Sequence, residues 1–166
     1  GVRRMGLLWD SGTGSRQLVA AKAAAQGFGI ELYVMEARSL DDVAAALKAG
    51  MSAGIKAMVV MASPELSRTQ AYKLITDFAA NNRLPAIGPF RGYSEAGGLM
   101  SYGVSPADIW ARIASFVARI LNGAKPGDLA IELPTKFELV LNLKAAKALG
   151  ISFPQALRLR ADEVIQ

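Results

Sequence analysis

The chain contains no cysteine and no histidine. Thiol nucleophiles, cysteine-based zinc sites, imidazole general bases and histidine-held metals are therefore excluded, and with them a large part of enzyme chemistry. The lack of cysteine suits oxidising and reducing compartments equally, so it does not locate the protein. No apolar run reaches the roughly 18–20 residues that cross a bilayer. No charged-then-apolar leader opens the sequence, and Gly1 is not an initiator residue. The expectation is a processed or excised piece whose targeting signal lay upstream. No internal repeat and no low-complexity segment is present.

Charged residues make up only 20% and apolar residues 52% of the 166 positions. That balance excludes disorder and suits one domain with a real core. The formal charge is +5, but the lysines and arginines are scattered. Their closest groups are Arg3-Arg4 and Arg158 with Arg160. Nucleic-acid binders gather such charge beside aromatic stacking groups. The pattern here predicts a solvated basic surface and no nucleic-acid partner.

Periodicity alternates between strands and helices. Val2 to Trp9 reads as a buried strand, Asp10 to Gly14 as a turn, and Ser15 to Gln26 as a helix with Leu18, Val19, Lys22 and Ala25 along one face. Ile30 to Met35 is the next strand. Ser39 with Asp42 three residues on predicts a capping box, opening a helix that buries Val43, Ala46, Leu47 and Met51. Lys56 to Ala62 is apolar enough for a central parallel strand. From Ser63-Pro64 the chain turns into a helix ending near Asn82, with Ala71, Leu74, Ile75, Phe78 and Ala79 as its core stripe. Leu84 to Gly88 is a fourth strand. This βαβαβαβ order predicts an α/β fold, an open parallel sheet flanked by helices.

After Phe90 the pattern changes. Arg91 to Gly98 reads as irregular and Leu99 to Tyr102 as a short strand. A helix starts at Ser105-Pro106 and ends at Gly123. Its apolar surface, from Ile109 and Trp110 to Ile120 and Leu121, is too wide for a sheet alone to cover. Leu129 to Leu133 and Phe137 to Leu141 read as strands around Pro134, followed by short helices over 143–149 and 154–159.

Candidate sites gather where strands end, the edge at which open α/β sheets bind ligands. Asp10-Ser-Gly-Thr-Gly-Ser15 joins the first strand to the first helix. Helix starts attract anions, yet the dinucleotide fingerprint lacks its third glycine, since Gln17 stands there, and the phosphate-loop Gly-Lys-Ser/Thr is missing. Beside a weakly supported nucleotide loop stand two further readings: a capped tight turn, or a cleft wall in which Trp9 stacks on a planar ligand, Asp10 meets an ammonium group and Ser11 lies alongside. Ser63 is a turn cap or a hydroxyl for a ligand carboxylate. Phe90, Arg91, Tyr93 and Glu95 crowd aromatic and charged groups into six positions, with Arg91 suited to a carboxylate. Tyr102 follows on the next strand, where core packing is an equal reading. Glu132 and Glu138 have no partner base and read as solvated.

The segments Asn82-Arg-Leu-Pro-Ala-Ile87, Ala96-Gly-Gly-Leu-Met-Ser-Tyr-Gly103, Ile120-Leu-Asn-Gly-Ala-Lys-Pro-Gly-Asp-Leu129, Pro134-Thr-Lys-Phe-Glu-Leu-Val-Leu-Asn-Leu-Lys-Ala-Ala-Lys-Ala-Leu-Gly150 and Arg160-Ala-Asp-Glu-Val164, in this order, resemble the substrate-binding proteins of ABC transporters, including binders of tryptophan and other aromatic amino acids. The resemblance covers nearly everything from Arg83 onward. Upstream it rests on the βαβαβ layout and on Leu8-Trp9.

The resemblance implies a type I periplasmic-binding-protein fold: two α/β lobes joined by crossing strands, with a small-molecule ligand between them. This chain would supply one lobe plus crossover elements. Residues 1–98 would be the C-terminal ligand-binding lobe, and 99–166 the crossover strand, the inter-lobe helix and the C-terminal strand and helix elements. The missing N-terminal lobe and a transporter permease would be partners, and the orphaned helix face would drive self-association of the fragment. The resemblance further implies no enzyme activity, no cofactor, and a periplasmic or lipid-anchored place at the cell envelope. Family members place an Asp, Asn or Ser at the end of the third strand, and Ser63 matches. The competing readings are a nucleotide-binding or enzyme domain using Asp10–Ser15, and a ligand-sensing module of a regulator.

Overall fold

The computed structural model describes residues 2–166. The chain alternates β1 (Arg4–Asp10), α1 (Arg16–Gly27), β2 (Glu31–Ala37), α2 (Leu40–Ser52), β3 (Met58–Val60), α3 (Thr69–Asn81), β4 (Ala86–Gly88), α4 (Arg91–Glu95) and β5 (Met100–Val104). It continues with α5 (Pro106–Leu121), β6 (Phe137–Asn142), α6 (Leu143–Leu149), α7 (Gln155–Arg160) and β7 (Glu163–Ile165). The seven strands form one sheet in the order β2-β1-β3-β4-β5-β6-β7. Every neighbouring pair is parallel except β5 with β6. Strands before and after residues 98–99 belong to one continuous sheet, since β5 pairs with β4 on one side and β6 on the other.

The step from β1 to β2 runs opposite to the later steps. Right-handed crossovers therefore put α1 on one face and α2 and α3 on the other. Contacts of α2 with α3, and of α3 with α4 and α6, gather those helices on a single face. The core lies there: Leu8, Met35, Leu47, Met58 and Ile75 are shut off from solvent. On α2 the expected face holds for Val43, Ala46 and Leu47, while Gly50 is buried and Met51 only half-buried. The Met35 thioether packs where a side chain at Gly50 would stand. Asp42 accepts hydrogen bonds from the backbone N–H of Arg38 and of Ser39, both at 3.0 Å, and from the Ser39 hydroxyl. The Arg38 N–H, followed by the Ser39 hydroxyl, holds this carboxyl below its usual range.

Four expectations need correction. The face expected on α1 is mostly exposed. Only Ala25 is buried, and Val19 stays open, because this alanine-rich helix has little apolar bulk to dock with. The irregular segment after Phe90 contains the short helix α4. Residues 129–133 form no strand, for no neighbouring strand offers them a ladder among the described residues. The strand β7, which the sequence reading missed, closes the far edge beside β6.

The helix α5 begins as expected, with Ser105 accepting from the Asp108 N–H and Pro106 in the first turn. None of its residues is buried. Arg112 ties the returning chain to it, donating to Asp108 at 2.8 Å, Glu132 at 3.1 Å and Thr135 at 2.7 Å. Helix and return segment thus form an arm that stands off the sheet, with Trp110, Val117, Leu121, Ile131 and Leu133 exposed.

Candidate functional site

Strands β1 to β5 are mutually parallel, so their carboxyl ends form one rim. That rim collects Asp10, Ser11, Ser63, Phe90 and the end of β5. Asp10 is buried, and its Oδ1 accepts from the Gly12 N–H at 2.8 Å. The Thr13 hydroxyl donates to the Asp10 carbonyl at 2.7 Å, closing a single 3-10 turn over 11–13. The Asp10 carboxylate already sits on the Gly12 N–H, so a phosphate approaching this loop would meet like charge.

Trp9 lies on the opposite sheet face from Asp10, as strand alternation requires. Its ring is tied down by a long hydrogen bond from Nε1 to the Gly14 carbonyl, 3.3 Å. The Ser11 hydroxyl accepts from Arg38 Nε at 3.0 Å, and Arg38 also pairs with Glu36. The Glu36 carboxyl is held low first by the Ser11 hydroxyl and then by Arg38. Ser63 is buried, and its Oγ accepts from the Leu66 N–H at 2.9 Å, so it acts as the cap of a turn. Phe90, half-buried, precedes the first turn of α4.

Two of the expected ligand-facing groups are turned elsewhere. Arg91 donates from Nε to Glu95 at 2.6 Å and from Nη2 to Glu163 at 3.0 Å, linking α4 to β7. These carboxylates, Glu95 foremost, raise its pKa further. Tyr93 is completely buried and meets Tyr72 edge to face, with ring centroids 5.6 Å apart. A helix forms where a loop was expected, and its periodicity turns residue 93 into the core.

Tyr102 is exposed and stacks on Phe137, centroids 5.8 Å apart and planes 21° off parallel. Beside it a cavity of about 260 Å³ is lined by Gln17, Met61, Ile87, Pro89 and Tyr102. Sequence reasoning missed Gln17, Met61, Pro89 and Phe137. Only the antiparallel register, which sets Val104 opposite Phe137, brings that ring to Tyr102. A larger cavity, about 490 Å³, opens at the other end of the sheet, where β4 and β5 begin and β6 ends. Among the described residues no cluster of acidic side chains could hold a metal.

Burial pushes the Tyr93 phenol far above its usual pKa. It raises Tyr72 as well, with the Ser67 hydroxyl pulling the other way. The native state keeps protons that the unfolded chain releases near pH ~10. Unfolded molecules then bind fewer protons, so stability falls as pH rises through and beyond that value. Ultraviolet difference absorbance followed alongside circular dichroism tests this. The signals of Tyr72 and Tyr93 should appear only as the fold is lost, and ionisation of all the tyrosines in a still-folded chain would contradict it.

A mostly parallel sheet flanked by helices, with loops gathered on its carboxyl rim, defines an α/β fold. The sequence matches the family described as ABC transporter substrate binding protein over residues 1–165, and the chain belongs to that family. It is therefore a member of a substrate-binding family, one typically found outside the cytoplasm. No described helix is long and apolar enough to cross a membrane.

No curated protein matches the chain. Among solved structures it is similar to a conserved domain protein from Vibrio cholerae O1 biovar El Tor, with 28% identity and a TM-score of 0.86 over 99% of this chain and 55% of that one. It is also similar in fold to the ABC domain from Streptococcus pneumoniae in complex with L-Trp, at 23% identity and TM-score 0.89, with the same coverages of 99% and 55%. A ligand-free, open substrate-binding protein with adhesive properties from Clostridium difficile shares the fold at 18% identity and TM-score 0.70, again over 99% and 55%. The chain thus spans about half the length of the solved structures it matches.

Proposed function

We propose that this chain forms one wall of a two-lobed receptor that captures an amino acid or similar small molecule and delivers it to an ABC importer. The observation that carries this reading is the arm of α5 and its return segment, where no residue of the helix is buried and Trp110, Val117, Leu121, Ile131 and Leu133 are exposed. A second α/β lobe would cover that arm. Residues 1–98 then act as the C-terminal ligand-binding lobe and 99–166 as crossover and C-terminal elements, in the type I periplasmic-binding-protein arrangement. The importer's permease is the further partner, and the place of work is the periplasm or a lipid-anchored position at the cell envelope.

The rim suits such a ligand. The carboxylate of Asp10 meets an ammonium group, the hydroxyls of Ser11 and Ser63 and the nearby turn N–H groups meet polar atoms, and the stacked Tyr102 and Phe137 offer an aromatic wall. Trp9 and Phe90 flank this set. Arg91 and Tyr93 have no part in it. Closure of two lobes over the ligand supplies the differential contacts that favour the bound state. The L-Trp complex of the Streptococcus pneumoniae relative supports an amino-acid ligand.

Isothermal calorimetry of the two-lobed protein against the amino acids tests the reading. Binding should be tight for at least one of them. Asp10→Ala should weaken it by about tenfold or more, as expected when a charge-assisted contact worth roughly 1.5–3 kcal/mol is lost. The present chain alone should bind poorly, and equally tight binding by it would rule out the two-wall arrangement. A thermal-shift screen with nucleotides tests the competing domain, since only a ligand of the native state raises the midpoint.

A further inference from the structure

We propose that the cavity of about 490 Å³ flanked by α3 and α6 is a second ligand site, shaped for a small amphiphile with an apolar body and a carboxylate head. It lies at the end of the sheet opposite the rim and shares no residue with the ligand set proposed there. Its size falls within the roughly 300–1,000 Å³ of small-molecule sites.

The gap follows from the side chains that border it. Ala79 and Ala80 of α3 face it from one side, and Ala145 and Ala148 of α6 from the other. Each offers a single methyl, so the helices do not fill the space between them. Nor can they slide together, because both are tied to α4. Asn142 is buried, and its Nδ2 donates to the Ser94 carbonyl at 3.0 Å while its Oδ1 accepts from the Ala145 N–H at 2.9 Å. On the other side the buried Thr76 hydroxyl donates to the Ala96 carbonyl at 2.9 Å. The short helix α4 thus acts as a spacer that holds α3 and α6 apart.

The same bonds engage the polar side chains of the floor, and Leu84, Ala86 and Leu99 complete it with buried apolar surface. A polar body placed there would lose its water without gaining partners, so the floor selects an apolar one. The mouth differs. Lys144 borders the cavity and is exposed, and it joins no ion pair among the described residues. Glu95, which also borders the cavity, is taken by Arg91 at 2.6 Å. One open cation above an apolar floor matches one anionic head on an apolar body. An ammonium head would meet Lys144 as like charge.

Octanoate is the probe, titrated into the chain by calorimetry and by amide NMR. Binding should saturate with a dissociation constant below about 1 mM, the bound affinity of a small apolar anion after the costs of association. The shifts should gather on Ala79, Leu99 and Ala145. Octanol should bind about two- to fivefold more weakly, as expected for loss of one exposed ion pair. Lys144→Gln should weaken octanoate by the same factor and leave octanol unchanged. Ala145→Phe, which puts a ring into the cavity, should abolish binding of both. Asp10→Ala should leave octanoate binding as it is, so the result stands apart from capture of an amino acid at the rim. Absence of saturable binding, shifts confined to the exposed face of α5, full affinity in Ala145→Phe, or octanoate affinity untouched by Lys144→Gln would overturn the proposal.

Discussion

Gly103→Ala is expected to cost about 3 kcal/mol or more and to lower Tm by roughly 6–12 °C in a chain of this size. A Cβ at this position would stand 1.9 Å from the Pro89 carbonyl oxygen, which is backbone and not the tip of a flexible side chain. Neither partner can retreat. Gly103 is opposite Glu138 in the β5–β6 ladder, and Pro89 follows directly on β4. Relief would require β4 and β5 to part at the rim, where Phe90 and Tyr102 are set. Gly127→Ala is the control, because its Cβ would meet nothing within 4 Å. Thermal unfolding by circular dichroism reads both. A Gly103→Ala protein melting within 2 °C of the control would show that the rim tolerates the added methyl.

The second large effect concerns α5. Trp110, Ile113, Val117 and Leu121 are exposed along it, and Ile131 and Leu133 extend the surface on the return segment. Fully burying a large apolar side chain is worth roughly 1.5–3 kcal/mol. Four of them on the helix alone would supply about 6–12 kcal/mol before the costs of association. Exposed apolar patches of this kind drive association. The isolated chain is therefore expected to self-associate at high concentration, and Ile113→Asp with Val117→Asp to return it to monomer. In the proposed two-lobed receptor the same pair should weaken lobe packing and ligand capture together. Light scattering measures the first and calorimetry the second. A wild-type chain that stays monomeric at high concentration would remove the basis for both.

The frame was readable in the sequence because it is written in local periodicity. The run Ala57–Met61, set between Gly54 and the Ser63-Pro64 turn, announces a strand buried on two faces, and β3 occupies the sheet between β1 and β4. The Ser39–Asp42 cap and the stripe of Val43, Ala46 and Leu47 need only residues three and four apart to be recognised. Asp10, Ser11 and Ser63 could be placed at strand ends for the same reason.

The rest depends on which distant residues meet. Arg91 and Tyr93 sit two residues apart in a segment that looks like an exposed loop. One turn of helix sends Arg91 to Glu163, 72 residues away, and Tyr93 into the core against Tyr72. Phe137 reaches Tyr102 only through an antiparallel register, and β7 becomes a strand only because β6 offers it a ladder. Residues 129–133 show the converse, since strand-forming composition makes no strand where no partner edge is present. Spacing along the chain thus decides most of the elements from β1 to β4, the class of fold and where the rim loops fall, because those follow from short-range stereochemistry and hydrophobic pattern. Which rim side chains stay free for a ligand, and which are consumed by ion pairs or by the core, follows from long-range packing that chain spacing does not encode.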